Sequence, residues 1–179
     1  MKRIAVFCGS RDGYEPNYIE QAKKLGNIIA EEGIELVYGG AVVGLMGAVA
    51  EGALENDGKV IGIIPEKLKS IEVMNNQITQ LHVVNNMHER KAMMAELSNA
   101  FIALPGGAGT MEEWFEAFTW AQIGYHNKPC ALLNTNGYYT PLLELFDHMI
   151  EHGFADPHYK DFIIMEHDPQ TLIEKIINT

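Results

Sequence analysis

The sequence predicts one doubly wound α/β domain spanning residues 1–179, a mainly parallel sheet with helices on both faces. Three observations predict it. Short apolar runs alternate with segments of helical periodicity along the whole chain. The runs are continuously apolar, as suits strands covered on both faces. Three of them run into glycine turns, Gly9-Ser10, Gly39-Gly40 and Gly106-Gly107, which would line one rim of such a sheet.

Taken in order, the strands are expected at residues 4–8, 34–38, 60–64, 100–104, 130–133 and 162–165. A further strand is placed within residues 78–84, in the least legible part of the chain. Ile19, Ala22, Leu25, Ile28 and Ile29 recur at helical spacing, and that helix stops near Gly33. Further helices fit residues 45–55, 87–98, 110–123, 141–151 and 169–177. There is no internal repeat, low-complexity tract or linker, and 179 residues suffice for one sizeable core.

The chain carries a net charge of −11, with only three arginines, Arg3, Arg11 and Arg90, and no basic run. This argues against a nucleic-acid or anionic-membrane surface, where lysine and arginine must neutralise phosphates. An anionic small ligand stays open, provided local donors overcome the global field. Cys8 and Cys130 have neither metal-ligand nor redox-pair spacing and suit a reducing compartment. Lys2 and Arg3 precede an apolar run too short for a signal peptide, and no segment nears the roughly 20 apolar residues of a membrane span. A cytoplasmic location is expected.

The most informative segment is residues 103–113, Ala-Leu-Pro-Gly-Gly-Ala-Gly-Thr-Met-Glu-Glu. A strand, a glycine turn and a helix start make an anion seat, because the first helical N–H groups lack intrahelical acceptors and the helix dipole adds positive potential. Glu113 places a carboxylate one turn inside. Thr110 and Glu113 also fit a capping box, which alone would account for both residues. A cap does not, however, require three glycines among residues 106–109.

A second glycine cluster occupies residues 38–47. Gly39 and Gly44 have the spacing of a Walker-type loop, but Leu45 and Met46 stand where lysine and Ser/Thr belong. Glu112 likewise stands where the dinucleotide fingerprint needs its last glycine. ATP hydrolysis and hydride transfer therefore lose their usual support. The remaining cluster, residues 87–94, sets Arg90 on one helical face with Met87 and Met94. A guanidinium among methionines calls for an anionic partner, either Glu113 or a ligand phosphate. Lys91 beside it would be solvated in the plainer reading.

Met-His-x-Arg-Lys from Met87, followed by Pro-Gly-Gly-x-Gly-Thr-x-x-Glu from Pro105, resembles the Lonely Guy (LOG) family of cytokinin-activating enzymes, long labelled possible lysine decarboxylases. The similarity extends through residues 6–10, 38–47, 61–66, 119–122 and 132–139. The resemblance implies a Rossmann-like domain that hydrolyses the N-glycosidic bond of adenosine 5′-monophosphate or an N6-substituted relative, giving free base and ribose 5-phosphate. It implies Arg90 and Glu113 as the catalytic pair. It implies substrate contacts from Glu72, Lys91, Gly107, Ala108, Gly109, Thr110, Met111, Glu112 and Thr119, with Ser10 and Gly40 at the neighbouring turns. No metal or cofactor is implied, the partner is a small nucleoside monophosphate, and a homodimer is expected. Ala108 replaces the tyrosine common in the family, a change that bears on substrate preference.

The chemistry agrees with the residues. Cleaving the ribose C1′–N bond builds oxocarbenium-like charge, which an ionised Glu113 can stabilise, or meet by activating water or attacking C1′. Arg90 would orient Glu113 and the nucleotide. Lysine decarboxylation would need pyridoxal phosphate on a Schiff-base lysine, and no lysine stands in a recognisable context for it. The rival from another class is a protein that carries a phosphate-bearing cofactor without cleaving it.

Overall fold

The computed structural model describes residues 1–69 and 74–179. The elements follow as β1 (Arg3–Phe7), α1 (Asn17–Glu31), β2 (Glu35–Tyr38), α2 (Gly44–Glu55), β3 (Val60–Pro65), β4 (Gln80–Val84), α3 (Met87–Leu97), β5 (Ala100–Ala103), α4 (Ala108–Gln122), β6 (Cys130–Leu133), α5 (Thr140–Glu151), β7 (Ile163–Glu166) and α6 (Pro169–Ile177). Seven strands form one sheet in the order β4-β3-β2-β1-β5-β6-β7, and every neighbouring pair is parallel. The expected mainly parallel, doubly wound sheet is thus observed, and the run at residues 78–84 supplies β4.

Alternation of side chains sorts the core into two layers. From β1, Ile4 and Val6 join one layer while Ala5 and Phe7 join the other. Helices α1, α2 and α6 cover the first layer, with Ala22, Leu25 and Ile29 of α1 falling at helical spacing against it. Helices α3, α4 and α5 cover the second, which is rich in aromatics: Trp114 stacks on Phe118 at 4.8 Å, and Phe118 meets Phe146 at 5.4 Å. Trp114 also donates its indole N–H to the Ala131 carbonyl at 3.1 Å, pinning α4 to β6.

The direction of winding reverses at β1. The chain steps outward through β2, β3 and β4, then α3 returns it to β5 on the other flank of β1. The ends of β1 and β5 lie side by side, joined by Leu104 N–H to the Phe7 carbonyl at 2.9 Å and Gly9 N–H to the Pro105 carbonyl at 3.1 Å. Their connections leave in opposite directions, which opens a crevice at the carboxyl ends of the strands. Phe118→Ala, in the aromatic layer under α4, is expected to cost about 3–5 kcal/mol of stability, read from the urea unfolding midpoint.

Candidate active site

The crevice holds a cavity of about 230 Å³ lined by Cys8, Gly9 and Ser10 after β1, Met46 of α2, Met87 and Arg90 of α3, and Gly107, Gly109, Thr110, Glu112 and Glu113 of the β5–α4 turn and α4. Each wall has a local cause. Helix α3 starts where Asn86 accepts from the Glu89 N–H at 3.0 Å. Glu89 in turn accepts from the Asn85 N–H at 2.9 Å, and this bond, with those from the Asn85 and Asn86 side chains, holds its carboxyl below the usual range. This tied start fixes the register that turns Arg90 inward.

Arg90 is 7% exposed. Its Nη2 donates to the Gly39 carbonyl at 3.4 Å, its Nη1 faces Met87 Sδ at 3.8 Å, and its buried Nε has no hydrogen-bond partner among the described residues. A buried cation with an unused donor is costly, which marks the place as one prepared for an acceptor. Gly39 makes the seat possible, since a Cβ there would fall 2.2 Å from Arg90 Nη2 and 2.8 Å from Met46 Sδ.

Helix α4 begins at Ala108, with Gly107 as a cap that has no side chain to offer its N–H groups. The capping box that Thr110 and Glu113 also fitted in sequence is therefore not formed, since the cap falls at Gly107. Thr110 is the third helical residue, buried against Gly106, where a Cβ would lie 2.1 Å from Thr110 Oγ1. Glu113 lies in the second turn of α4, so the helix dipole acts on it less than a first-turn position would allow. Its charge is felt by Cys8. Burial pushes that thiol far up, Glu113 adds to the shift, and Arg90 opposes it. Cys8 is thus a neutral wall group and no nucleophile.

The structure brings Ser10, Arg90, Gly107, Gly109, Thr110, Glu112 and Glu113 to one cavity. Others of the expected residues stand apart. Lys91 bonds Glu112 and lies 3.1 Å from Glu116, bracing α3 against α4. Burial opposes its charge, but the two carboxylates outweigh burial and raise the ammonium. Thr119 is exposed farther along α4, and Met111 packs on the second core layer. Gly40 packs near Leu81 and Ile64 on the β3 side, and Ala108 is exposed at the helix start. Glu72 lies outside the described residues. Met94 belongs to the second core layer and Met93 packs on it. Cys8, Met46 and Met87 were not singled out as wall residues. Their signal lay in position: one ends a strand before a glycine turn, and two sit at helix starts on the same rim.

A larger hollow of about 570 Å³ between α1 and α2 carries Asp12, Glu51 and Glu55 and no cationic lining residue among the described residues. It is unsuited to an anion.

Rossmann-like proteins seat nucleotide phosphates where the winding reverses, and this chain has that construction. A family profile described as "Possible lysine decarboxylase" matches residues 46–176. A cytokinin riboside 5′-monophosphate phosphoribohydrolase of Rhodococcoides fascians is 49% identical over 98% of this chain and 89% of its own. One of Arabidopsis thaliana is 45% identical over 98% and 81%. The chain belongs to this family, the LOG family. Among solved structures, a molybdenum cofactor binding protein of Rippkaea orientalis is similar with a TM-score of 0.76 and 26% identity over 99% of this chain and 96% of that one.

Gly39→Ala will leave the fold intact but withdraw the guanidinium from the Gly39 carbonyl, visible in a crystal structure of the variant. Burial also pushes the Cys130 thiol up to about 12. Below the ordinary thiol value of about 8.5 both states keep their protons and the contribution is whole. Above it the unfolded chain ionises first, so the urea midpoint will fall as pH rises from there. The fall will be shallower in a Cys8→Ala/Cys130→Ala double variant.

Proposed function

We propose that this chain hydrolyses the N-glycosidic bond of a cytokinin riboside 5′-monophosphate, releasing free base and ribose 5-phosphate, with Arg90 and Glu113 as its catalytic pair. The relatives carry that activity in their names. The observation that carries the reading is the shared cavity: an uncapped helix start, a carboxylate and a buried cation with an unused donor within one space of nucleotide-fragment size.

In this reading the 5′-phosphate sits against Ser10, Gly107, Gly109 and Thr110, where N–H groups and the dipole of α4 favour an anion. The ribose then lies toward Glu113. As the C1′–N bond lengthens, positive charge grows on the sugar and the carboxylate stabilises it, while water adds to C1′ and the base departs with a proton. Arg90 directs Nε toward the bound nucleotide and keeps Glu113 from facing the sugar as an uncompensated charge. Lys91 acts at one remove, by holding Glu112. The family's older description would call for a Schiff-base lysine; among the described residues the cavity lining contains none, and Lys91 is engaged by two carboxylates.

The second reading, a carrier of a phosphate-bearing cofactor, is favoured by the likeness to the Rippkaea orientalis protein. Incubation with AMP and with N6-isopentenyladenosine monophosphate, followed by chromatography for free base, separates the two. Glu113→Gln and Arg90→Ala are each expected to lower turnover on the order of 10³-fold or more, with nucleotide binding retained in Glu113→Gln. Wild-type-like turnover in Glu113→Gln would remove Glu113 from the chemistry, and binding without cleavage by the wild type would leave the carrier reading.

A further inference from the structure

An anion seat built from backbone N–H groups works only if the neighbouring carbonyls face elsewhere. Three consecutive carbonyls before α4 are each held by a donor. Leu104 accepts from the Tyr139 hydroxyl at 2.6 Å, Pro105 from the Gly9 N–H at 3.1 Å, and Gly106 from the Tyr138 hydroxyl at 2.6 Å. Two of the three donors are adjacent tyrosines just after β6, on a separate part of the chain.

The two tyrosines differ in kind. Tyr139 is 2% exposed and belongs to the core, whereas Tyr138 is 42% exposed and lines a second cavity of about 330 Å³ with Tyr18, Pro105, Gly106 and Gly107. Tyr138 is held there by its surroundings. Its ring meets Tyr18 edge-on at 6.1 Å, and its turn is tied to the start of α1 by Asn136, which donates to Glu15 and accepts from Asn17, both at 2.7 Å.

The Gly106–Gly107 peptide lies on the wall shared by this second cavity and the candidate active site, together with Gly9 and Ser10, since Gly107 lines both cavities and Gly106 only the second. The peptide is trans, so its carbonyl and its N–H point in opposite directions. With the Gly106 carbonyl drawn toward Tyr138, the Gly107 N–H faces the other side. Neither Gly106 nor Gly107 has a Cβ to resist rotation of this peptide.

We propose that Tyr138 is a positioning residue of the phosphate seat, its hydroxyl holding the Gly106 carbonyl out of the site and thereby aiming the Gly107 N–H at the bound phosphate. This rests on the phosphate placement given above. Loss of the hydroxyl frees a peptide that can turn its carbonyl, a repulsive group, toward the phosphate.

The test compares wild type and Tyr138→Phe by calorimetric titration with ribose 5-phosphate and with AMP, by the Gly107 amide resonance during the ribose 5-phosphate titration, and by urea unfolding. The expected result is affinity for both ligands lowered about ten-fold, a Gly107 amide that no longer shifts on binding, and an unfolding midpoint close to that of wild type. Where turnover is measured, KM rises while kcat changes little. Affinities within two-fold of each other, an unchanged Gly107 response, or a loss of binding matched by a collapse of the midpoint would each overturn the inference. Wild type that binds AMP and N6-isopentenyladenosine monophosphate and cleaves neither would sink the hydrolase reading and leave the Tyr138 comparison standing. Wild type that binds neither ligand would overturn both.

Discussion

The Gly9 N–H to Pro105 carbonyl bond joins the turns that follow β1 and β5 at the point where the sheet reverses its winding. The candidate site is arranged around that junction. It keeps two loops that travel in opposite directions close enough to wall one cavity. It also occupies the middle one of the three consecutive carbonyls that precede α4, each held by a donor. The apolar layers beneath it, Phe7 against Phe101 at 6.0 Å on one face and Val6 with Ile102 on the other, give the junction a rigid base. Loops positioned by such a base can carry function without themselves being stiff.

A second constraint is electrostatic. The chain as a whole repels anions, yet its candidate site must attract one. The conflict is met at short range. Arg90 is desolvated beside Gly39, and helix α4 starts without a side-chain cap. The large hollow that carries Asp12, Glu51 and Glu55 shares no lining residue with the candidate site. Desolvated donors interact more strongly than exposed ones, so a few groups at the crevice can outweigh a dispersed surface charge that salt screens.

Much of this was legible in the residues. Continuous apolar runs and helical spacing give every strand and helix to within a few residues, because buried parallel strands and amphipathic helices leave those periods in the sequence. The glycine turn and the pairing of Arg90 with Glu113 in one site were legible from local pattern and family resemblance together. The start of α4 was misjudged for a definite reason. Thr110 and Glu113 satisfy the capping-box pattern, but the helix forms from Ala108 because Gly107 is extended and the turn is fixed from outside. The box-like arrangement stands at α3, with Asn86 and Glu89. Lys91 could not be placed by its neighbours in sequence, since its partners Glu112 and Glu116 come from another helix. Tyr138 and Tyr139 were hidden for the same reason: their hydroxyls act on a loop more than thirty residues away.

Charges near the crevice come as neighbours of opposite sign. Arg11 and Asp12 both line the cavity behind the glycine turn. In the hollow that Asp12 also lines, Lys23 meets Glu51 at 3.2 Å and Glu55 at 2.7 Å. Opposite charges set side by side largely cancel at a distance and act only close in. An anion nearing the crevice therefore feels this flank weakly until contact, and discrimination falls to the groups that line the candidate site itself.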